Sequence, residues 1–269
     1  MVVGITGGTG VLGKLAYSFL KMEGYEVSCF GGDIRNYKKL SDWLSGQPFS
    51  AILHFAALVP VAVVEIEPIR ALETNVVGTF NLVKAIKESF INPWVFYASS
   101  SHVYKSSSAP IAESFPIEPI NFYGLTKFMG ENVVQTTCFE TKTRCCIGRI
   151  FSFWHETQSG EFLYPAMIER FKRENLENPF FVKGANNVRD LSKAKDIVNK
   201  IIMLMTKEAE GIYNIGSGTG ITIREFVQHI GPKNLKIITD HGHNHDYLVA
   251  NTSKFDELVK GSKLPNEAL

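Results

Sequence analysis

The sequence predicts an α/β fold: a doubly wound, mostly parallel sheet with a smaller C-terminal lobe. Three observations carry this reading. Short β-rich runs alternate with helix-period segments over residues 1–150. A glycine-rich turn joins the first strand to the first helix. The run Ala51–Ala57 is apolar almost throughout, as a strand covered on both faces must be.

In chain order, Val2–Thr6 reads as the first strand, Val11–Glu23 as the first helix, and Val27–Phe30 as a second short strand. After the buried strand Ala51–Ala57, a long helix runs from about Ile66 to Phe90, and Trp94–Ala98 returns to strand. Tyr123–Phe139 has helical spacing and Arg144–Ile150 is another strand. Beyond Phe151 the regularity weakens, though Ala194–Thr206 reads as a helix and Ile212–Ile215 as a strand. Thr222-Ile223-Arg224-Glu225 is a capping box, opening a helix through Phe226 to Ile230. The chain therefore divides into a main domain, 1–150, and a lobe, 151–269, with segments at about 186–216 returning to the main sheet.

Composition narrows the class. With 269 residues, 45% hydrophobic and 20% charged, the chain can bury a core and is poorly described as disordered. A net charge of +1 gives no field to draw nucleic acid or an anionic membrane. The apolar run Ala51–Val64 is interrupted by His54 and Pro60 and is too short for a bilayer. Met1–Ile5 opens as a strand without a charged leader, so no secretory signal is expected. Cys29, Cys138, Cys145 and Cys146 have neither metal-ligand spacing nor the density of a disulfide scaffold. A reduced, cytoplasmic protein fits best, and Cys145-Cys146 reads as core.

The glycine segment is Thr6-Gly7-Gly8-Thr9-Gly10-Val11-Leu12-Gly13. Gly7 allows the tight turn, Gly10 lets the backbone approach a pyrophosphate, and Gly13 lets the helix pack against the strand. Free N–H groups at the helix N-terminus favour the anionic diphosphate. In its strand–turn–helix context the segment predicts a Rossmann-type dinucleotide site for NAD or NADP. Cofactor preference stays open, because the second strand ends in Cys29-Phe30-Gly31-Gly32 and the first carboxylate is Asp33, with Arg35 just beyond.

Tyr123-x-x-x-Lys127 places a phenol and an ammonium on one helix face. A free tyrosine titrates near pH 10, and a neighbouring ammonium and a positively charged nicotinamide both favour its phenolate, moving it toward the working range. The pentapeptide alone is as well explained by a surface pair. Upstream, however, Tyr97-Ala98-Ser99-Ser100-Ser101-His102-Val103-Tyr104 follows an apolar strand, and ligands of open parallel sheets bind beyond such strand ends. A serine hydroxyl there can bond a substrate oxygen as charge develops.

Together, the glycine loop, the Ser-Ser-Ser-His-Val-Tyr segment and Tyr123-x-x-x-Lys127 resemble the extended short-chain dehydrogenase/reductases. Within these, the chain is most similar to the NAD-dependent epimerase/dehydratase branch acting on nucleotide sugars. His54-Phe55-Ala56-Ala57, Thr74-Asn75-Val76-Val77-Gly78-Thr79, Glu113, Pro119, Arg189-Asp190-Leu191, Asp196-Ile197 and Tyr213-Asn214-Ile215-Gly216 extend the match over nearly the whole chain. The resemblance implies Tyr123 as acid/base, Lys127 as its partner and Ser100 as the substrate-oxygen ligand. It implies cofactor contacts from Gly7, Thr9, Gly10, Val11, Leu12, Gly13, Asp33, Ile34, Phe55, Ala56, Ala57 and Asn75, with Asp33-Ile34 bordering the adenine. Substrate contacts are expected from Ser101, His102, Ser152 and Arg189. The resemblance also implies a homodimer packed through the helices Ile66–Phe90 and Tyr123–Phe139, and nucleotide-sugar metabolism feeding polysaccharide biosynthesis.

Departures from the pattern refine the expectation. The 4,6-dehydratases of the branch carry an acidic pair after the catalytic Ser/Thr; Ser101 and His102 stand there, which disfavours dehydration. Ser152 replaces an asparagine that contacts substrate phosphates, and a second phosphate-binding arginine is replaced within His241–Asp246. His102 reads first as a packing or hydrogen-bonding residue and second as an extra acid/base. His241, His243 and His245 read as a polar loop, with no metal expected; Phe151, Phe153 and Trp154 read as core. The first functional reading is a 4-ketoreductase of a nucleotide-linked 4-keto-6-deoxy sugar. A C4 epimerase with retained NAD is the alternative, and a non-catalytic NAD(P)-sensing regulator is disfavoured because Tyr123 and Lys127 both stand.

Overall fold

The computed structural model describes residues 1–89, 91–240 and 246–262. The chain begins β1 (Val2–Thr6), α1 (Val11–Met22), β2 (Glu26–Cys29), α2 (Tyr37–Ser45) and β3 (Phe49–His54). It continues α3 (Val61–Ile66), α4 (Pro68–Leu72), a π-helical turn over Glu73–Val77, α5 (Gly78–Glu88) and β4 (Trp94–Ser100). Next come α6 (Phe122–Thr141), β5 (Cys145–Ile150), β6 (Phe153–Trp154), α7 (Leu163–Arg173), β7 (Phe180–Phe181), β8 (Val188–Asp190) and β9 (Ser192–Lys193). The remainder is α8 (Ala194–Thr206), β10 (Gly211–Ile215), β11 (Gly220–Thr222), α9 (Ile223–Ile230), β12 (Ile237–Ile238), β13 (Tyr247–Leu248) and α10 (Ser253–Val259).

Six strands form one parallel sheet in the order β10-β5-β4-β3-β1-β2. The chain steps from β1 outward to β2, then crosses to β3 on the other side of β1. A crevice therefore opens between β1 and β3, where ligands of open α/β sheets bind. Alternate residues of each strand feed opposite layers. Val3, Ile5, Leu53 and Phe96 pack with Phe19 and Leu20 of α1 and with Val198 and Ile201 of α8. On the other face Ile52 and Val95 pack with Leu40 and Leu44 of α2 and with Leu82 and Ile86 of α5. This two-sided burial is why the Ala51–Leu53 run carries no polar residue.

The later residues build small sheets of their own, β11-β8-β13, β12-β7 and β6-β9, over a separate core that includes Met167, Phe180, Val227 and Ile237. Within the stretch 186–216, α8 and β10 join the main sheet, while Val188–Asp190 pairs with β11 and β13 in the lobe. The expected capping box is present: Glu225 N donates to Thr222 Oγ1 at 3.1 Å, and Thr222 N donates to Glu225 Oε2 at 2.7 Å.

Two expected elements are redrawn. The helix expected from Ile66 to Phe90 starts earlier and is interrupted: Glu67, which precedes Pro68, leaves the helical region at φ −120°, ψ 58°, because the proline ring crowds the preceding residue out of it. Its expected last residue, Phe90, lies outside the described residues. The strand expected over Ala51–Ala57 ends at His54, and Phe55–Ala57 turn out of the sheet along the crevice. Among the described residues no helix is long and apolar enough to cross a membrane.

Candidate active site

The glycine loop shapes one end of the crevice. Gly7 holds φ +72°, which favours glycine, and Gly10 N donates to Gly7 O at 3.0 Å to close the turn. An added Cβ at Gly13 would collide with the Gly7 carbonyl, so glycine is what lets α1 begin this close to the strand. α1 starts after Gly10 with no side-chain cap, leaving its first N–H groups available to an anion. These residues fit a dinucleotide diphosphate.

The reacting end is set by β4 and α6. Ser100 ends β4, and its Oγ accepts from His102 N at 3.2 Å, which winds Ser101–Val103 into a short 3-10 turn. α6 is capped by Asn121, whose Oδ1 accepts from Gly124 N at 2.8 Å. The His102 carbonyl lies directly against Gly124, where any Cβ would overlap it, and Gly130 meets the Tyr97 hydroxyl in the same way. Two glycines therefore let α6 press onto β4. That approach buries Tyr123 at 8% and Lys127 at 3% exposure and sets the phenol near Ser100, on the same cleft wall.

Burial dominates the electrostatics. It pushes the Tyr123 phenol up to about 12, against the pull of the Ser100 hydroxyl. Lys127 Nζ lies 4.4 Å from the centroid of the Tyr97 ring. Burial brings its ammonium down to about 7, with Glu131 pulling the other way.

Glycine loop, β4 and α6 surround a single cleft of about 1510 Å³. Ordinary small-molecule pockets run to roughly 300–1,000 Å³, so this one has room for more than one ligand. Its lining includes Gly7, Thr9, Gly10, Val11, Leu12, Gly13, Asp33, Ile34, Phe55, Ala56, Ala57, Ser100, Ser101, His102, Tyr123, Lys127, Ser152 and Arg189. Of the residues expected to contact cofactor or substrate, Asn75 is the one absent from this lining. Its amide is buried; Oδ1 accepts from Leu58 N at 2.7 Å, and Nδ2 donates to Leu58 O at 3.0 Å and Thr126 Oγ1 at 3.0 Å. Asn75 thus holds the loop that follows β3, and does not reach the cofactor space itself.

Arg35 is already committed. Its Nη2 donates to Asp33 Oδ2 at 2.6 Å and its Nη1 to Glu73 Oε2 at 2.9 Å. Arg189 Nη1 donates to the Asp246 carbonyl at 3.1 Å. Phe151, Phe153 and Trp154, all read as core, also line the cleft; Phe151 is buried at 2% exposure, and the Trp154 ring lies 5.1 Å from that of Tyr164. The His241, His243 and His245 run lies outside the described residues. Among the described residues no group of three or more His, Cys, Asp or Glu could hold a metal ion.

Beneath the site runs a buried polar chain that sequence reading did not foresee. Ser99 bonds Glu131, and Arg149 Nη2 pairs with Glu131 Oε2 at 2.8 Å, both side chains being under 5% exposed. Arg149 Nη1 donates to Tyr104 Oη at 2.9 Å, and Tyr104 donates to Asn214 Oδ1 at 2.7 Å. A buried carboxylate and guanidinium that satisfy each other in this way tie α6 to β5 and β10.

With this geometry, comparison with known proteins defines a class. The family model described as GDP-mannose 4,6 dehydratase matches residues 26–260. The chain therefore belongs to that family, a branch of the extended short-chain dehydrogenase/reductase enzymes of the epimerase/dehydratase type. It is 25% identical to a UDP-glucose 4-epimerase of Rhizobium meliloti (strain 1021), over 95% of this chain and 90% of the relative. It is 27% identical to a GDP-6-deoxy-D-mannose reductase of Pseudomonas aeruginosa, over 71% of this chain and 66% of the relative. The structure of RMD from Pseudomonas aeruginosa complexed with NADPH superposes with a TM-score of 0.85 at 23% identity, covering 96% of this chain and 91% of that one.

Proposed function

We propose that the chain is an NAD(P)-dependent oxidoreductase of nucleotide sugars. More specifically, it reduces the 4-keto group of a nucleotide-linked 4-keto-6-deoxy sugar. The glycine loop would hold NAD(P)H, which when bound would supply the hydride. Tyr123 gives its proton to the oxygen that becomes the new hydroxyl. Ser100 Oγ accepts the His102 N–H, and its hydroxyl proton can turn from the phenol to that oxygen as charge builds. Lys127 holds the nicotinamide ribose, and the lobe formed mainly by residues beyond 150 takes up the nucleotide.

One observation supports the reductive direction: the chain is 27% identical to a GDP-6-deoxy-D-mannose reductase over 71% of its length. Tyr123, buried on the cleft wall, is placed to donate the proton that reduction of a ketone requires. A C4 epimerase is the second reading, favoured by the similarity to UDP-glucose 4-epimerase over 95% of the chain. A panel of 4-keto and 4-hydroxy nucleotide sugars separates the two. Stoichiometric NAD(P)H consumption supports the reductase; interconversion without net consumption replaces it with the epimerase; binding without turnover overturns both.

The working unit in this proposal is a homodimer. Val77 and Phe80, at the start of α5, are about half exposed, as are Leu125 and Met129 of α6, and Phe139 is 87% exposed. Two packed helices that share an apolar outer face suit a second copy of the same pair. A monomer in sedimentation at micromolar concentration would refute this part.

A further inference from the structure

His102 stands beside the catalytic pair, its ring centroid 5.7 Å from that of Tyr123 and nearly perpendicular to it. Its protonation is decided by a residue outside the cleft lining. Asn121 caps α6, and its Oδ1 accepts from Gly124 N at 2.8 Å. A backbone N–H can only donate, so that contact fixes which end of the amide is oxygen. The other end, Nδ2, lies 2.9 Å from His102 Nδ1. An amide nitrogen also can only donate, so Nδ1 must accept and carries no proton. The neutral ring then has its single proton on Nε2. Nε2 has no hydrogen-bond partner among the described residues, and the ring lines the cleft.

We infer that His102 is a substrate-positioning residue, locked by Asn121 as the neutral Nε2–H tautomer and offering that one proton to an acceptor oxygen of the sugar. It holds a hydroxyl or carbonyl oxygen close to the reacting carbon and does not exchange protons with it. Its surroundings agree. Burial and the facing Arg189 guanidinium hold the imidazole down to about 4, with Asp246 opposing. A ring that stays neutral at working pH can donate a hydrogen bond but is a poor proton source. The part of this inference that concerns the sugar rests on the nucleotide-sugar reading above; the tautomer does not.

The tautomer is read first, on ligand-free protein with ¹⁵N-labelled histidine. The His102 signal is identified as the one missing from His102→Gln. An unprotonated Nδ1 and a protonated Nε2 between pH 6 and 8 are expected. An Nδ1–H ring, or an imidazolium at pH 7, overturns the inference whatever the enzyme turns over. Asn121→Asp keeps a good helix cap but turns the donor into an acceptor. It should therefore move the proton to Nδ1 or charge the ring. An unchanged spectrum in that variant means that Asn121 does not set the state, which also refutes the lock.

Kinetics with the substrate found in the panel reads the second half. Glutamine can place an N–H near the Nε2 position, so His102→Gln should stay within about threefold of the parent in kcat/KM. His102→Leu should lose about tenfold, mainly through KM, the worth of one hydrogen bond. Equal losses in both variants, or loss in the glutamine variant of a limb that the parent's pH profile shows, would show an acid/base role and overturn the proposal. A panel with no turnover by the parent would sink the functional reading and the sugar contact, and the spectrum would still decide the tautomer.

Discussion

Lys127 Nζ sits over the Tyr97 ring, 4.4 Å from its centroid, in a side chain only 3% exposed. The active site thus stores an ammonium whose nearest companion is a neutral ring. Such a contact is worth up to about 2 kcal/mol when desolvated, while burial works against the charge. The unfolded chain keeps this amine protonated up to its ordinary value of 10.5, and the folded chain releases the proton near 7. Between those values the unfolded state binds more protons, so this residue's contribution to stability rises with pH from about 7 to 10.5 and is least favourable below 7. Lys127→Met should therefore raise the ligand-free Tm at pH 7 by roughly 4–8 °C while destroying activity. The gain should shrink as pH approaches 10. Thermal melts of parent and variant across pH 6–10 check both the sign and the window.

Tyr123→Phe removes the proton donor without disturbing packing. Turnover should drop by about 10²–10⁴-fold, the usual worth of general acid–base help. Ser100→Ala should cost less, since the phenol remains. NAD(P)H-coupled initial rates with an active nucleotide sugar check both, and unchanged turnover in the phenylalanine variant would remove the mechanism.

Gly124→Ala tests the approach of α6 to β4. The added Cβ overlaps the His102 carbonyl, which is backbone and cannot swing aside. Overpacking of this kind costs about 1–3 kcal/mol, and it also displaces Tyr123 relative to Ser100. Urea unfolding should show the stability loss, and the variant should lose more activity than stability alone explains.

Glu131→Ala leaves Arg149 buried without its carboxylate. Removing one partner of a buried pair costs about 3–5 kcal/mol. The variant should unfold at clearly lower denaturant concentration, whereas Glu140→Ala, which removes an exposed partner of Lys87, should change stability by less than about 1 kcal/mol.

Phe80→Glu combined with Met129→Glu places charge on the outer face of α5 and α6. If that face joins two copies, sedimentation should show a shift from dimer to monomer at micromolar concentration, with the far-UV spectrum unchanged.

Local signals made much of this legible in the sequence. Gly7 and Gly13 announce the strand–turn–helix because backbone geometry demands glycine at both, one by its positive φ and the other by the Gly7 carbonyl against it. Tyr123 and Lys127 are one helical turn apart, and the capping box at Thr222 and Glu225 is a three-residue signal. What stayed hidden depended on partners distant in sequence. Asn75 stands where a cofactor contact was expected, but its amide is consumed by Leu58 and Thr126, residues that only folding brings near. Nothing around Glu131 marks it as the partner of Arg149, eighteen residues on. Asn121 reads as an ordinary helix cap until His102, nineteen residues earlier, is seen against its amide. Trp154 fits a core pattern, and only the position of the lobe places it on the cleft wall.

The return of α8 and β10 to the main sheet gives the chain an interleaved wiring. Val198 and Ile201, from the far half, share a core with Val3 and Phe19 near the start, and β10 forms the edge beside β5. Cutting the polypeptide after residue 150 would strip an outer strand and a covering helix from the nucleotide-binding half, leaving sticky apolar surface where those pieces had been. Neither half is a detachable module, so inheritance, expression and engineering of this enzyme must treat both as one unit.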